Sequence, residues 1–251
     1  MDLASVLPKS TQFVGTDITS YYFPPSPPPN IHFVKQSVTE EWPSDWHASF
    51  DVVHQKLVLS ACEPISAQKV VDSLFSLTKP GGWIQLLECD HSGGFSPEQA
   101  SRYPATVRFG ELVMRCRAAT GKSGQYGLSL RSWLREAGAR DVVETLLNCP
   151  VGALAPTKEM KQSTTENLLS VVRGLKAARG GMTVPRRTRV LSPTDRPLDI
   201  PGLDLDANYF DQLHDNLQHE LYTIGSFQRF HLVYGRRSLN AGAALSNGNG
   251  I

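Results

Sequence analysis

Nowhere does this chain carry an apolar run approaching the ~20 residues that a membrane-spanning helix needs. Its first residues, Met1 to Pro8, lack the basic flank and long apolar core of a secretory signal. Cysteine is scarce. Cys62, Cys89, Cys116 and Cys149 stand far apart with no C-x-x-C pair, which argues against zinc and dithiol motifs and for free thiols in a reducing compartment. A surplus of one charge is missing too: 25 Lys and Arg against 24 Asp and Glu leave a formal net charge of +1, so no nucleic-acid footprint is expected. There is no internal repeat and no G-x-S-x-G nucleophile elbow. The chain is therefore expected to be cytoplasmic, with neither membrane nor nucleic acid as a partner.

What is present suits an α/β fold. At 251 residues the chain is long enough for a sizeable core. Met1 to Leu7 has the pattern of a helix end, with Leu3 and Leu7 on one face and Pro8 after it, so the front of the fold is expected to be absent. The apolar run Phe13-Val-Gly-Thr-Asp-Ile-Thr19 then predicts a strand with Asp17 at its carboxyl end. Five prolines between Pro24 and Pro29 dictate an extended path to a second strand at Asn30–Gln36. A third strand begins at Phe50-Asp-Val-Val-His54, with Leu57-Val-Leu59 beyond it. Apolar spacing predicts a helix from Ile65 to Thr78, stopped by Lys79-Pro-Gly-Gly82, and Trp83–Glu88 is the next strand. Strand, helix, turn and strand in this order form a βαβ unit with parallel strands.

Further on, Ser96-Pro-Glu-Gln99 is a helix start with a capping box and proline at the first helical position. Pro104 interrupts it, after which Phe109, Leu112, Val113 and Cys116 make one apolar face. A shorter helix is expected at Leu130–Ala137 with Ser129 as cap, then a strand at Asp141–Leu147. Lys158–Arg179 fits a long helix with Leu168, Val171, Val172 and Leu175 inward. Residues 182–206, with four arginines and four prolines, have no periodicity and are expected to be a lid or an insertion. Asn208–Thr223 is a last helix, with Phe210, Leu213, Leu217 and Leu221 inward, and Phe227–Tyr234 a last strand.

Three stretches invite chemistry. Thr120-Gly-Lys-Ser123 looks like the end of a phosphate-binding loop, but the glycine required five residues before Gly121 is Cys116, inside a helix. Glu88-Cys-Asp-His91 gathers metal-capable groups just past a strand. Successive side chains point to opposite sides, so no metal site is assigned and the run is expected to form a polar rim over a pocket. Asp17, at a strand end, is placed to accept two hydrogen bonds from the vicinal hydroxyls of a ribose.

In this order, FVGTDIT, NIHFVKQSVTEEWP, FDVVHQKLVL and LTKPGGWIQLLECD resemble the class I S-adenosylmethionine-dependent methyltransferases. The wording is most similar to the fungal branch around secondary-metabolite gene clusters, which includes velvet-complex regulators and cluster tailoring enzymes. NYFDQLHDNLQHELYTIGSFQRFHLVYGRR is similar to that branch's closing helix and strand. The resemblance implies a doubly wound, mostly parallel sheet with an antiparallel last strand. It implies S-adenosylmethionine as cofactor, with Asp17 on the ribose, Ser37 and Val38 at the adenine, and His54 and Gln55 beside the reactive methyl group. Glu88 to His91 would rim the substrate side. His54 and His91 are the candidate catalytic residues where the acceptor needs a base.

One departure stands out. The family's first strand and its GxGxG loop have no counterpart in this sequence, and the sheet is expected to lack that central strand. Residues 1–237 are expected to form one methyltransferase-like domain, with helical additions at about 96–138 and 150–206, and 238–251 a disordered tail. The implied function is methyl transfer to N or O of a small secondary metabolite in a fungal biosynthetic cluster. The alternative is a catalytically impaired relative acting through a protein partner or homodimer, which the absent glycine loop favours.

Overall fold

The computed structural model describes residues 6–62, 64–92, 94–119, 121–122, 125–179 and 205–239. Two expectations, the 182–206 lid or insertion and the 238–251 tail, lie largely outside them. Six strands are described: β1 (Phe13–Asp17), β2 (Ile31–Lys35), β3 (Phe50–Lys56), β4 (Thr78–Asp90), β5 (Arg140–Val151) and β6 (Ser226–Arg236). The helices are α1 (Pro64–Leu77), α2 (Pro97–Arg102), α3 (Pro104–Ala119), α4 (Tyr126–Glu136), α5 (Lys158–Arg179) and α6 (Ala207–Thr223).

The strands form two sheets. β1 and β2 pair in parallel, Phe13 against Ile31 through Asp17 against Lys35. The other sheet has the order β3-β4-β6-β5, with β3 and β4 parallel and β6 antiparallel to both β4 and β5. The α/β class and the antiparallel last strand are as expected. The sheet is not continuous: among the described residues no strand pairs with the outer edge of β1 or of β3.

Two hydrophobic cores result. On one face of the four-stranded sheet, alternate residues Val53, Ile84, Leu86 and Val233 meet α1 through Val70, Val71 and Leu74 and α4 through Leu130 and Leu134. Each such leucine is almost fully enclosed and contributes roughly 2 kcal/mol of burial. The second core joins α3, α5 and α6 through Phe109, Leu112, Leu168, Val172, Phe210 and Leu217. No helix among the described residues is long and apolar enough to cross a membrane.

Several local expectations shift. The helix ends at Leu77, but Lys79–Gly82, expected as the turn before the next strand, lies within β4, where Gly81 N–H donates to the Arg237 carbonyl at 2.8 Å and Arg237 N–H to that of Gly82 at 2.9 Å. α4 starts at Tyr126 and not at a Ser129 cap. On α5 Val171 is 38% exposed and Leu169 takes its place in the core. α3 carries no cap of its own. Buried Glu220 of α6 supplies one, accepting from the Ala105 N–H at 2.7 Å and the Thr106 N–H at 2.9 Å.

Candidate active site

The residues singled out above form two groups, at or near the carboxyl ends of the parallel pair β1–β2 and of the parallel pair β3–β4. Asp17 ends β1, half-buried, and its Oδ1 accepts the Thr19 N–H at 2.9 Å. Its other oxygen has no hydrogen-bond partner among the described residues. The Gln36 N–H donates to the Asp17 carbonyl at 2.9 Å, which brings the residues after β2 alongside. There Ser37 Oγ pairs with Thr39 Oγ1 at 2.8 Å, and Val38 packs against the core of the four-stranded sheet.

The second group surrounds the ends of β3 and β4. Strand alternation separates His54, which is exposed, from Gln55, which is buried. Gln55 Nε2 donates to Glu88 Oε1 at 2.7 Å, and the same oxygen accepts the Leu59 N–H at 2.8 Å. Burial pushes the Glu88 carboxyl up, against the lowering pull of the Leu59 and Val58 N–H groups, Gln55 and the Arg117 guanidinium. Gln55 Oε1 is buried without a partner.

Two residues on, Asp90 lies on the same face of β4. Its Oδ1 accepts both the Ser92 N–H, at 2.9 Å, and the Ser92 hydroxyl, which fixes the turn that carries His91. Its Oδ2 stands 3.7 Å from Nε2 of buried His231, whose Nδ1 meets Glu144 Oε1 at 2.6 Å. His91 is pushed down to about 4, chiefly by burial and then by Arg117, with Asp90 opposing, so it is neutral near pH 7. Its Nδ1 is 3.8 Å from Cys89 Sγ, and that thiol, pushed up to about 12 mainly by burial, stays protonated. A cavity of about 30 Å³, room for one water, adjoins His91, Asp90, Phe95, Phe109 and Phe227. A larger groove of about 540 Å³ lies elsewhere, between α2, α3 and α6, and contains none of the expected site residues.

The sequence reading missed the partners of Glu88 and Asp90, and Glu88, expected in the rim, is buried at 2% exposure and does not line the cavity. Gln55 meets Glu88, and His231 meets Asp90 and Glu144, only through the register of β3-β4-β6-β5, while Arg117 comes from α3. The one available signal was a histidine among the apolar residues of β6. All four cysteines are free thiols, and no group of His, Cys, Asp and Glu among the described residues is arranged to hold a metal ion.

Sequence comparison places this geometry among known proteins. The chain is 34% identical over 237 residues to the N-methyltransferase gliN of Aspergillus fumigatus, covering 93% of this chain and 77% of that protein. It is 33% identical over 244 residues to the N-methyltransferase tcpN of Claviceps purpurea, covering 94% and 78%. Against the N-methyltransferase sirN of Leptosphaeria maculans it is 34% identical over 223 residues, covering 89% and 72%. No family model matches the chain. Among solved structures, a methyltransferase from Archaeoglobus fulgidus aligns at a TM-score of 0.42 with 12% identity, over 89% of this chain and 75% of that one, too distant to argue from.

Proposed function

This chain belongs to the class I S-adenosylmethionine-dependent methyltransferases of fungal secondary metabolism, and from that premise we propose that its methyl acceptor is a nitrogen of a small secondary metabolite. The observation that carries this is the shared identity with three N-methyltransferases over about nine-tenths of the chain.

The residues present fit the adenosine end of the cofactor. A half-buried carboxylate with one uncommitted oxygen at the end of β1 suits two ribose hydroxyls, and Ser37 and Val38 lie beside it for the adenine. When bound, the cofactor supplies an electrophilic methyl group on sulfur. The chain's part is then to bind, orient and exclude water, which supplies most of the rate in a reaction between two held groups. His54 and Gln55 flank the reacting end from β3. His91 is the proton acceptor: neutral near pH 7, it takes a hydrogen bond from the attacking N–H, and the Asp90 turn holds its backbone.

The test is titration calorimetry with S-adenosylmethionine on the whole chain and on Asp17→Asn. Binding weakened about tenfold by the substitution is expected, the equivalent of one charge-assisted pair. If the unaltered chain takes up no cofactor heat, the proposal fails.

A second reading, association with a protein partner or a second copy, draws on the apolar side chains left outside: Val14 is 39% exposed, Ile18 62% and Val52 62%. A monomer at every concentration in sedimentation, together with full activity, would set it aside. The free thiols support a reducing, cytoplasmic location.

A further inference from the structure

The turn that leaves β3 is held at four successive residues by side chains from other elements. The Leu59 N–H donates to Glu88 Oε1 at 2.8 Å, and the Ser60 carbonyl accepts from Arg117 at 2.8 Å. The Ala61 carbonyl accepts from Lys122 Nζ at 3.2 Å, and that of Cys62 from the Tyr126 hydroxyl at 2.9 Å. Connections of this kind ordinarily run free over the surface. This one starts at Leu57 with φ +57°, a left-handed conformation unfavourable for a branched side chain, which persists only where the surroundings over-determine it.

Glu88 is the pivot. A single oxygen ties the end of β3, through Gln55, to the turn, through Leu59, and the residue is only 2% exposed. Enclosing a carboxylate there is costly, and an apolar side chain would hold the fold with less opposition. The arrangement is better suited to placing atoms than to adding stability.

We propose that Glu88 is a positioning residue for the methyl-transfer site: through Gln55 and Leu59 it sets the 57–62 turn at the carboxyl end of β3, where the reacting end of the cofactor is seated. The inference rests on the methyl-transfer reading above and adds a residue that touches neither cofactor nor substrate.

The experiment combines S-adenosylmethionine calorimetry with amide exchange at Leu59, on the whole chain. Glu88→Ala is expected to weaken binding about tenfold and to speed Leu59 exchange by about a hundredfold. Exchange in α5 should stay as it is. Glu88→Gln, which keeps an acceptor oxygen without the charge, should recover binding to within about threefold. Should Glu88→Ala not fold, Tyr126→Phe releases the Cys62 carbonyl while leaving Glu88 in place and is expected to weaken binding about threefold. Asp51→Ala, which breaks an exposed ion pair with Lys79, is the control and should change neither readout. Faster Leu59 exchange with unchanged affinity would overturn the inference, and so would Glu88→Gln behaving like Glu88→Ala. No binding by the unaltered chain would overturn the methyl-transfer reading and this inference together, and it would be seen before any variant is made.

Discussion

The two sheets carry the two halves of the candidate site under very different physical conditions. In β1–β2, no side chain of either strand is buried, and Val14 and Phe33 are 39% and 37% exposed. In β3-β4-β6-β5, one face is closed by α1 and α4 and holds Gln55, Glu88, Asp90 and His231, all nearly out of solvent. A two-stranded pair with little buried apolar surface is marginal in water, whereas a four-stranded sheet with a covered face is stable on its own account. Under the proposed reading, the half that would meet the reacting end lies in a covered, packed sheet, and the half that would meet the adenosine end gains most from what binds it.

Breaking the packed half should be costly. The largest effect is expected from Glu220→Ala, which strips two buried N–H groups and the Thr106 hydroxyl of their acceptor at the start of α3. A loss of about 4 kcal/mol, seen as a fall of about 10 °C in the melting midpoint, is the expected outcome.

Acid should loosen the same half through His91. Its folded pKa, about 4, lies below the ordinary value of 6.5, so the unfolded chain binds the proton first. That contribution is complete above pH 6.5 and is lost as pH falls toward about 4, on the order of 3 kcal/mol in all. Melting curves at pH 7 and pH 4.5 should therefore differ less for His91→Gln than for the unaltered chain. Equal shifts would mean that His91 is not enclosed.

A comparable but smaller strain tests how closely α3 approaches the turn after β4. At Gly110 an added Cβ would lie 2.6 Å from the His91 carbonyl oxygen, which is backbone and has little room to yield. Gly110→Ala is expected to cost about 1–2 kcal/mol in urea unfolding despite alanine's better helix propensity.

The contrast also explains what was legible beforehand. Phe109, Leu112, Val113 and Cys116 of α3, and Phe210, Leu213, Leu217 and Leu221 of α6, were placed correctly inward because helical period alone decides which face is buried. The Ser96–Gln99 capping box was equally plain, since both of its hydrogen bonds are local. The start of α4 was not, because the Gln125 side chain makes no capping hydrogen bond there and so leaves no capping signature. Val171 was misplaced inward for a different reason: at a helix surface the stripe's edge is settled by the partner helix, here through Leu169 and Val172. At the site, Glu88 to His91 was visible as a run of polar groups. What it does was hidden, because Gln55 lies 33 residues from Glu88 and reaches it only once the register of β3 on β4 is known.

The smallest global effect is expected in the exposed sheet, and it is the sharpest test of the contrast. Phe33 packs its ring on Phe23, with centroids 5.1 Å apart, and over Gly15, where a Cβ would meet it at 2.8 Å. Phe33→Ala should remove most of what apolar cover this pair has. If β1–β2 opens independently, the melting midpoint of the chain should move by less than about 1 °C, because that opening lies below the global transition. Amide exchange along Val14–Thr16 and His32–Val34 should meanwhile quicken by about tenfold. A fall in the midpoint as large as that of Gly110→Ala would mean that the two sheets melt as one, and that the adenosine half is held as firmly as the other. Added S-adenosylmethionine gives the converse reading. A ligand held by Asp17 on one sheet and by the β3 end on the other couples their stabilities, so slowed exchange in β1–β2 should appear with the cofactor and disappear in Asp17→Asn.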